Sequence, residues 1–199
     1  MYAEHAPLIA AYAADSPANL FRVGLFVECT INTHLEFVPG IIESFDQYGF
    51  LTPRLMGWQK VAIHNLLNEQ ENLHAALRGW KKRGRSAAHY AIRDIVELPG
   101  FGLAKAAFFA QLVLPYTQVG CLDRHNLRLA GLSERAFAST PTSAVGLTRK
   151  INMYLALCKE LGGSQKLWDR WCNHLAVLRP YVFSSGEEVS QLHVDCIVR

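Results

Sequence analysis

Helix breakers punctuate this chain at short intervals, and between them apolar residues recur three or four apart. Strands would need apolar residues two apart, so this pattern restricts the fold to packed helices. The breaks fall at Pro39-Gly40, Gly49, Pro53, Gly84, Pro99-Gly100, Pro115, Gly162-Gly163 and Pro180. The intervals predict helices over 18–36, 41–48, 58–82, 87–97, 103–114, 146–161 and 164–178, with one more turn after Ser184. Within 58–82 the apolar positions Val61, Ile63, Leu66, Leu67, Leu73, Leu77 and Trp80 trace one helix face. Segment 103–114 is apolar almost all round, as a buried helix is. Ser133 and Ser164 stand where N-caps would. Strand-like alternation is almost absent, so the expectation is an all-α protein.

Half of the 199 residues are hydrophobic, enough to bury a core in one domain or two close lobes. The formal net charge is only +3, so any contact with a polyanion must be a local patch. The clearest patch is Lys81, Lys82, Arg83 and Arg85, whose plain reading is a solvated loop. The five cysteines, Cys29, Cys121, Cys158, Cys172 and Cys196, include no C-x-x-C pair. No disulfide framework, metal site or cofactor is expected from them, and a reducing, cytoplasmic setting fits. No apolar run reaches transmembrane length. The Ala-rich start lacks the basic region of a secretion signal, so 1–199 reads as mature protein.

The most informative stretch is Leu98-Pro99-Gly100-Phe101-Gly102, between two predicted helices. Pro99 cannot continue the first helix. The two glycines permit positive φ and leave room for a close approach. The second helix then begins with outward N–H groups, an anion site suited to a phosphate. Ala106, Ala107 and Ala110 are small enough for the helices to pack closely. An ordinary helix–helix corner would read much the same. Downstream comes Cys121-Leu122-Asp123-Arg124-His125-Asn126-Leu127-Arg128. Asp123 alone reads as an N-cap. His125 reads equally as a buried, satisfied histidine.

Taken together, the L-P-G-F-G turn, the apolar helix and the D-x-H-x-x-R order of Asp123, His125 and Arg128 resemble the helix-hairpin-helix (HhH-GPD) DNA glycosylase superfamily. The resemblance is specific over 87–128 and extends over roughly 20–130. It implies a two-lobed helical fold: a central lobe, 55–130, holding the hairpin at 87–114, and a terminal lobe from 1–54 with 131–199. It implies DNA as partner, gripped through Leu98, Gly100, Phe101 and Gly102, with Lys81, Lys82, Arg83 and Arg85 just upstream. Asp123 becomes the central carboxylate. It would stabilise the positive charge that builds on the sugar when a flipped base leaves.

The chain also departs from that family. Its bifunctional members carry a Schiff-base lysine two residues after the second hairpin glycine, where this chain has Ala104. Lys105 follows, about 100° further round the helix, so lyase chemistry is not expected. No iron–sulfur loop is expected either, since no cysteine spacing supports one. The helix that lines the pocket in relatives corresponds to the stretch around Glu28, Thr30 and Asn32. Glu28 is the unusual residue there: it either faces water or is buried with a partner.

Three functions follow from the resemblance. The first is a monofunctional DNA glycosylase using Asp123 and water, a monomer without cofactor. The second is an amino acid:DNA transferase like those of phage thymidine hypermodification, displacing pyrophosphate from an activated 5-hydroxymethyluracil base. There Lys105, Arg124 and Arg128 would bind the anion, Asp123 or Glu28 would act as base, and a free amino acid would be the second substrate. The third is a DNA-binding module without catalysis. The pair Trp168 and Trp171 at helical spacing reads as core.

Overall fold

The computed structural model describes residues 14–30, 37–52 and 54–178, with side chains as far as Arg170. Every regular element among them is helical. In chain order they are α1 (Pro17–Cys29), α2 (Val38–Tyr48), α3 (Gly57–Lys81), α4 (Ala87–Ile95), α5 (Leu103–Val113), α6 (Arg124–Leu129), α7 (Ala144–Glu160) and α8 (Gly163–Leu178). Short 3-10 turns, Gly49–Leu51 and Gly84–Ser86, follow α2 and precede α4. No described helix is long and apolar enough to cross a membrane.

Helix α1 starts where Ser16 accepts a hydrogen bond from the Asn19 N–H and Pro17 occupies the first turn. Its residues from Val23 to Cys29 are all buried. It packs on α2, α3 and α5, and Gly24 lets α3 come close, since a Cβ there would collide with Leu66. Helix α5 is buried on nearly every side, as its sequence predicts. Phe108 meets Phe26 of α1 on one side and Trp168 of α8 on another. The basic end of α3 folds back through α4, and the Trp80 indole donates to Asp94 at 2.8 Å. One apolar cluster runs from Ala14 through α5 to Trp168.

Several local expectations need correction. Pro39-Gly40 does not stop a helix; Pro39 sits in the first turn of α2, where proline's fixed φ and missing N–H suit a helix start. Ser133 caps no helix: its hydroxyl accepts from the Arg135 N–H in a turn. Ser164 lies inside α8, which begins at Gly163, and its carbonyl accepts from Gln111. Val61, placed on the core face of α3, is exposed. Helix α6 was not read as a helix in its own right, because six residues are too few to show a period. The first helix, expected over 18–36, ends at Cys29 with Thr30 as its C-cap, and the stops expected at Pro53 and Pro180 lie outside the described residues.

Candidate active site and nucleic-acid interface

The hairpin between α4 and α5 is a tight turn in which the Phe101 N–H donates to the Leu98 carbonyl at 3.0 Å. Its two glycines do different work. Gly100 has φ +97°, and a Cβ there would sit 2.5 Å from the Ala62 Cβ of α3. Gly102 has ordinary extended backbone, φ −91°, and faces open space. Asn65 of α3 donates to the Pro99 carbonyl at 3.3 Å. The Phe101 side chain is buried, so the turn offers backbone, not an aromatic ring, to a ligand. Helix geometry leaves the N–H groups of the first turn of α5 without intrahelical acceptors. No side chain caps them.

The sequence expectation treats the two glycines alike, and the structure separates them. Gly100→Ala is expected to destabilise the fold by about 2–4 kcal/mol, combining the left-handed backbone penalty with overpacking against Ala62. Gly102→Val should cost about 1 kcal/mol, because Gly102 is the N-cap of α5 and valine caps poorly; if a DNA phosphate docks on this turn, its binding should weaken too, because the side chain stands in the approach. Urea denaturation and equilibrium DNA binding on both variants check this.

Beneath the hairpin lies a buried ion pair. Lys105 Nζ sits 2.8 Å from Glu28 Oε2 and donates to the Gly100 carbonyl at 2.7 Å. It also lies 4.5 Å from the Trp58 ring centroid and 5.8 Å from that of Phe101. Glu28 is fully buried and Lys105 is 15% exposed. Glu28 Oε1 has no hydrogen-bond partner. Burial pushes the Glu28 carboxyl up to about 7, only partly offset by the attraction and hydrogen bond of Lys105. The backbone beside it is pinned as well. Gln59 Nε2 donates to the Glu28 carbonyl at 2.9 Å while Gln59 Oε1 accepts from the Met56 N–H. An amine whose hydrogens point at a carboxylate, a carbonyl and a π face offers no lone pair to a sugar carbon.

Asp123 is the N-cap of α6, and its carboxylate accepts from the Asn126 N–H at 2.8 Å. It is half-buried. The loop that carries it is held from three sides. Gln111 of α5 accepts from the Cys121 N–H, and Tyr154 of α7 accepts from the Leu122 N–H at 2.6 Å while donating to the Gly120 carbonyl. Asn126 closes the turn onto the Cys121 carbonyl. Gly120 has no room for a side chain against Leu167. The Cys121 thiol reaches the Ala104 carbonyl at 3.9 Å. Glu28 and the Asp123 loop therefore come to consecutive residues, Lys105 and Ala104, in the first turn of α5. Burial raises the Cys121 thiol well above its ordinary value and the Cys158 thiol to about 12, so neither is a ready nucleophile.

The remaining candidates are more scattered. Arg128 is exposed and tied to Glu134 at 2.6 Å, and the same hydrogen bond holds the Glu134 carboxyl below its usual range. Arg124 is exposed and His125 half-buried. Thr30 donates back to the Val27 carbonyl at the end of α1. Asn32 lies outside the described residues. Lys81, Lys82, Arg83 and Arg85 are exposed around the 3-10 turn before α4, at the far end of α3 from the hairpin. Sequence reasoning missed Trp58 and Gln59, whose signal was weak: an aromatic and an amide in the first turn of a helix. No group of three metal-ligating side chains occurs among the described residues. The chain matches no protein-family model, no curated protein and no solved structure.

Proposed function

We propose that this chain is a DNA-base-directed enzyme with a two-lobed helix-hairpin-helix glycosylase-like fold. Its reaction is hydrolysis of the N-glycosidic bond of a flipped base without Schiff-base chemistry. The observation that carries this reading is the buried Glu28–Lys105 pair directly under the hairpin. A buried pair with one oxygen left unpartnered costs stability that an apolar pair would not. Such groups concentrate at functional sites. Two carboxyl groups in contrasting settings also suit glycoside chemistry. Asp123, hydrogen-bonded to backbone, supplies a fixed negative charge for the developing sugar cation and orients water. Glu28 holds the Lys105 ammonium at the hairpin, where a DNA phosphate would meet it and the first-turn N–H groups of α5.

The same pair supports a second reading as an amino acid:DNA transferase. Lys105 would neutralise a departing pyrophosphate, and Asp123, half-buried where Glu28 is fully buried, would accept the proton of the incoming amine. Mass spectrometry of nucleosides after incubation with DNA carrying modified bases distinguishes the two. Free base with abasic sites identifies a glycosylase. A heavier nucleoside, formed only with an amino acid and an activated base, identifies a transferase. Lys105→Ala sharpens the test. A glycosylase is expected to keep most of its single-turnover rate at saturating DNA and to bind DNA more weakly. A transferase is expected to lose turnover even at saturation. DNA binding without either product leaves a non-catalytic DNA-binding module.

A further inference from the structure

The basic run and the hairpin are neighbours in sequence and distant in space. Asn65, which holds the hairpin at Pro99, and Arg83 are eighteen residues apart along α3 and its C-terminal turn. Helix α3 itself ends at Lys81, sixteen residues after Asn65, so the basic run begins about 24 Å further along the helix axis. Lys81, Lys82, Arg83 and Arg85 are all exposed. None of them forms an ion pair among the described residues. The Arg83 guanidinium lies 3.9 Å from the Tyr90 ring centroid, and Arg93 lies 5.0 Å from the same centroid. Asp94, the nearby acid, is already engaged by Arg93 and Trp80. Like charges gathered round one ring repel each other, and an anion relieves that repulsion. Stacking on Tyr90 also holds the Arg83 fork ready for a phosphate. Between the two ends, the strip carries Glu69 with Asn72 bonded to it, so the positive potential is not continuous.

We infer that this surface is a second phosphate-binding site, which holds the same DNA duplex as the hairpin but roughly seven base-pair steps away, at ~3.4 Å per step. The inference rests on the DNA reading above and adds its footprint. The test uses loop-closed DNA duplexes of random sequence, with stems of about 6 and about 16 base pairs (~20 and ~54 Å). The proteins are the wild type and a variant with Lys81, Lys82, Arg83 and Arg85 all changed to Gln. On the long stem, the variant is expected to bind at least about tenfold more weakly near 0.15 M salt. Its log–log salt slope should be shallower by roughly 2–4, the release of that many counterions. On the short stem, which cannot reach both sites at once, the variant's loss should be much smaller than on the long stem, and Gly102→Val serves as the control that removes hairpin binding. Equal loss on both stems, or no loss on either, overturns the two-site footprint while leaving DNA binding itself intact. Tighter binding of the wild type to an RNA stem of the same length overturns the assignment to DNA. No binding of the wild type to either DNA stem at low salt overturns the underlying function as well.

Discussion

Asp123→Asn is expected to lower single-turnover product formation by about a hundredfold or more while the protein stays folded, the usual scale for removing a positioned electrostatic group. The substitution is informative because of what it keeps. Asp123 caps α6 through one oxygen that accepts from the Asn126 N–H at 2.8 Å. An asparagine oxygen can accept the same bond, and Asn is among the best N-cap residues. Only the charge is lost. Loop position should survive too, since Gln111, Tyr154 and Asn126 hold it independently of that charge. DNA affinity should stay level or rise, because a negative charge has left the neighbourhood of the backbone. Asp123→Ala would mix this effect with a lost cap, typically about 1 kcal/mol. An Asp123→Asn protein with an unchanged single-turnover rate would sink the claim that this carboxylate serves the chemistry.

The second large effect is on stability against pH. In the folded protein the Glu28 carboxyl is raised from 4.5 to about 7. The folded state then binds this proton more tightly than the unfolded chain does. Its contribution is fully present below about pH 4.5 and is lost as pH rises through about 7. The expected loss from Glu28 between those limits is about 3 kcal/mol, from 1.36 kcal/mol per unit. Glu28→Gln replaces the neutral acid with a neutral amide of the same shape. Near pH 5 the variant should match the wild type, and by pH 8 it should be the more stable protein. Urea denaturation of both proteins at several pH values measures the difference, which cancels the other titrating groups. Parallel profiles across pH 5–8 would mean that Glu28 is ionised throughout and that Lys105 outweighs burial.

The chain's helices were legible in its sequence, because a helix is a local object. Apolar spacing, proline and glycine act within a few residues, and they place α3, α4, α5, α7 and α8 within a few residues of their observed ends. The all-round apolar character of α5 likewise foretold its burial. Local signals fail where two readings share one signature. Pro39 opens α2 as readily as it could end α1, and α1 has already ended at Cys29, well before it. Gly100 and Gly102 look equivalent in sequence, yet only Gly100 has positive φ, and its tight contact is with Ala62, a residue of another helix.

The candidate site was legible as residue types and not as an arrangement. Asp123 was recognisable because capping and the turn before it are local. The partner of Glu28 was not, because Lys105 lies 77 residues away and only the packing of α1 on α5 brings them to 2.8 Å. Whether Glu28 faced water or was buried with a partner depended on that contact. The distance between the basic run and the hairpin was not legible either. The run precedes the hairpin closely in sequence, but α4 lies between them as a rigid rod and α3 runs the full distance back, so the two reach opposite ends of one helix. Sequence determined where this chain is helical, since that depends on neighbours a turn away. Tertiary structure decided which charges are paired, which are exposed and how far apart they stand, since burial and electrostatic contact depend on groups that only folding brings together.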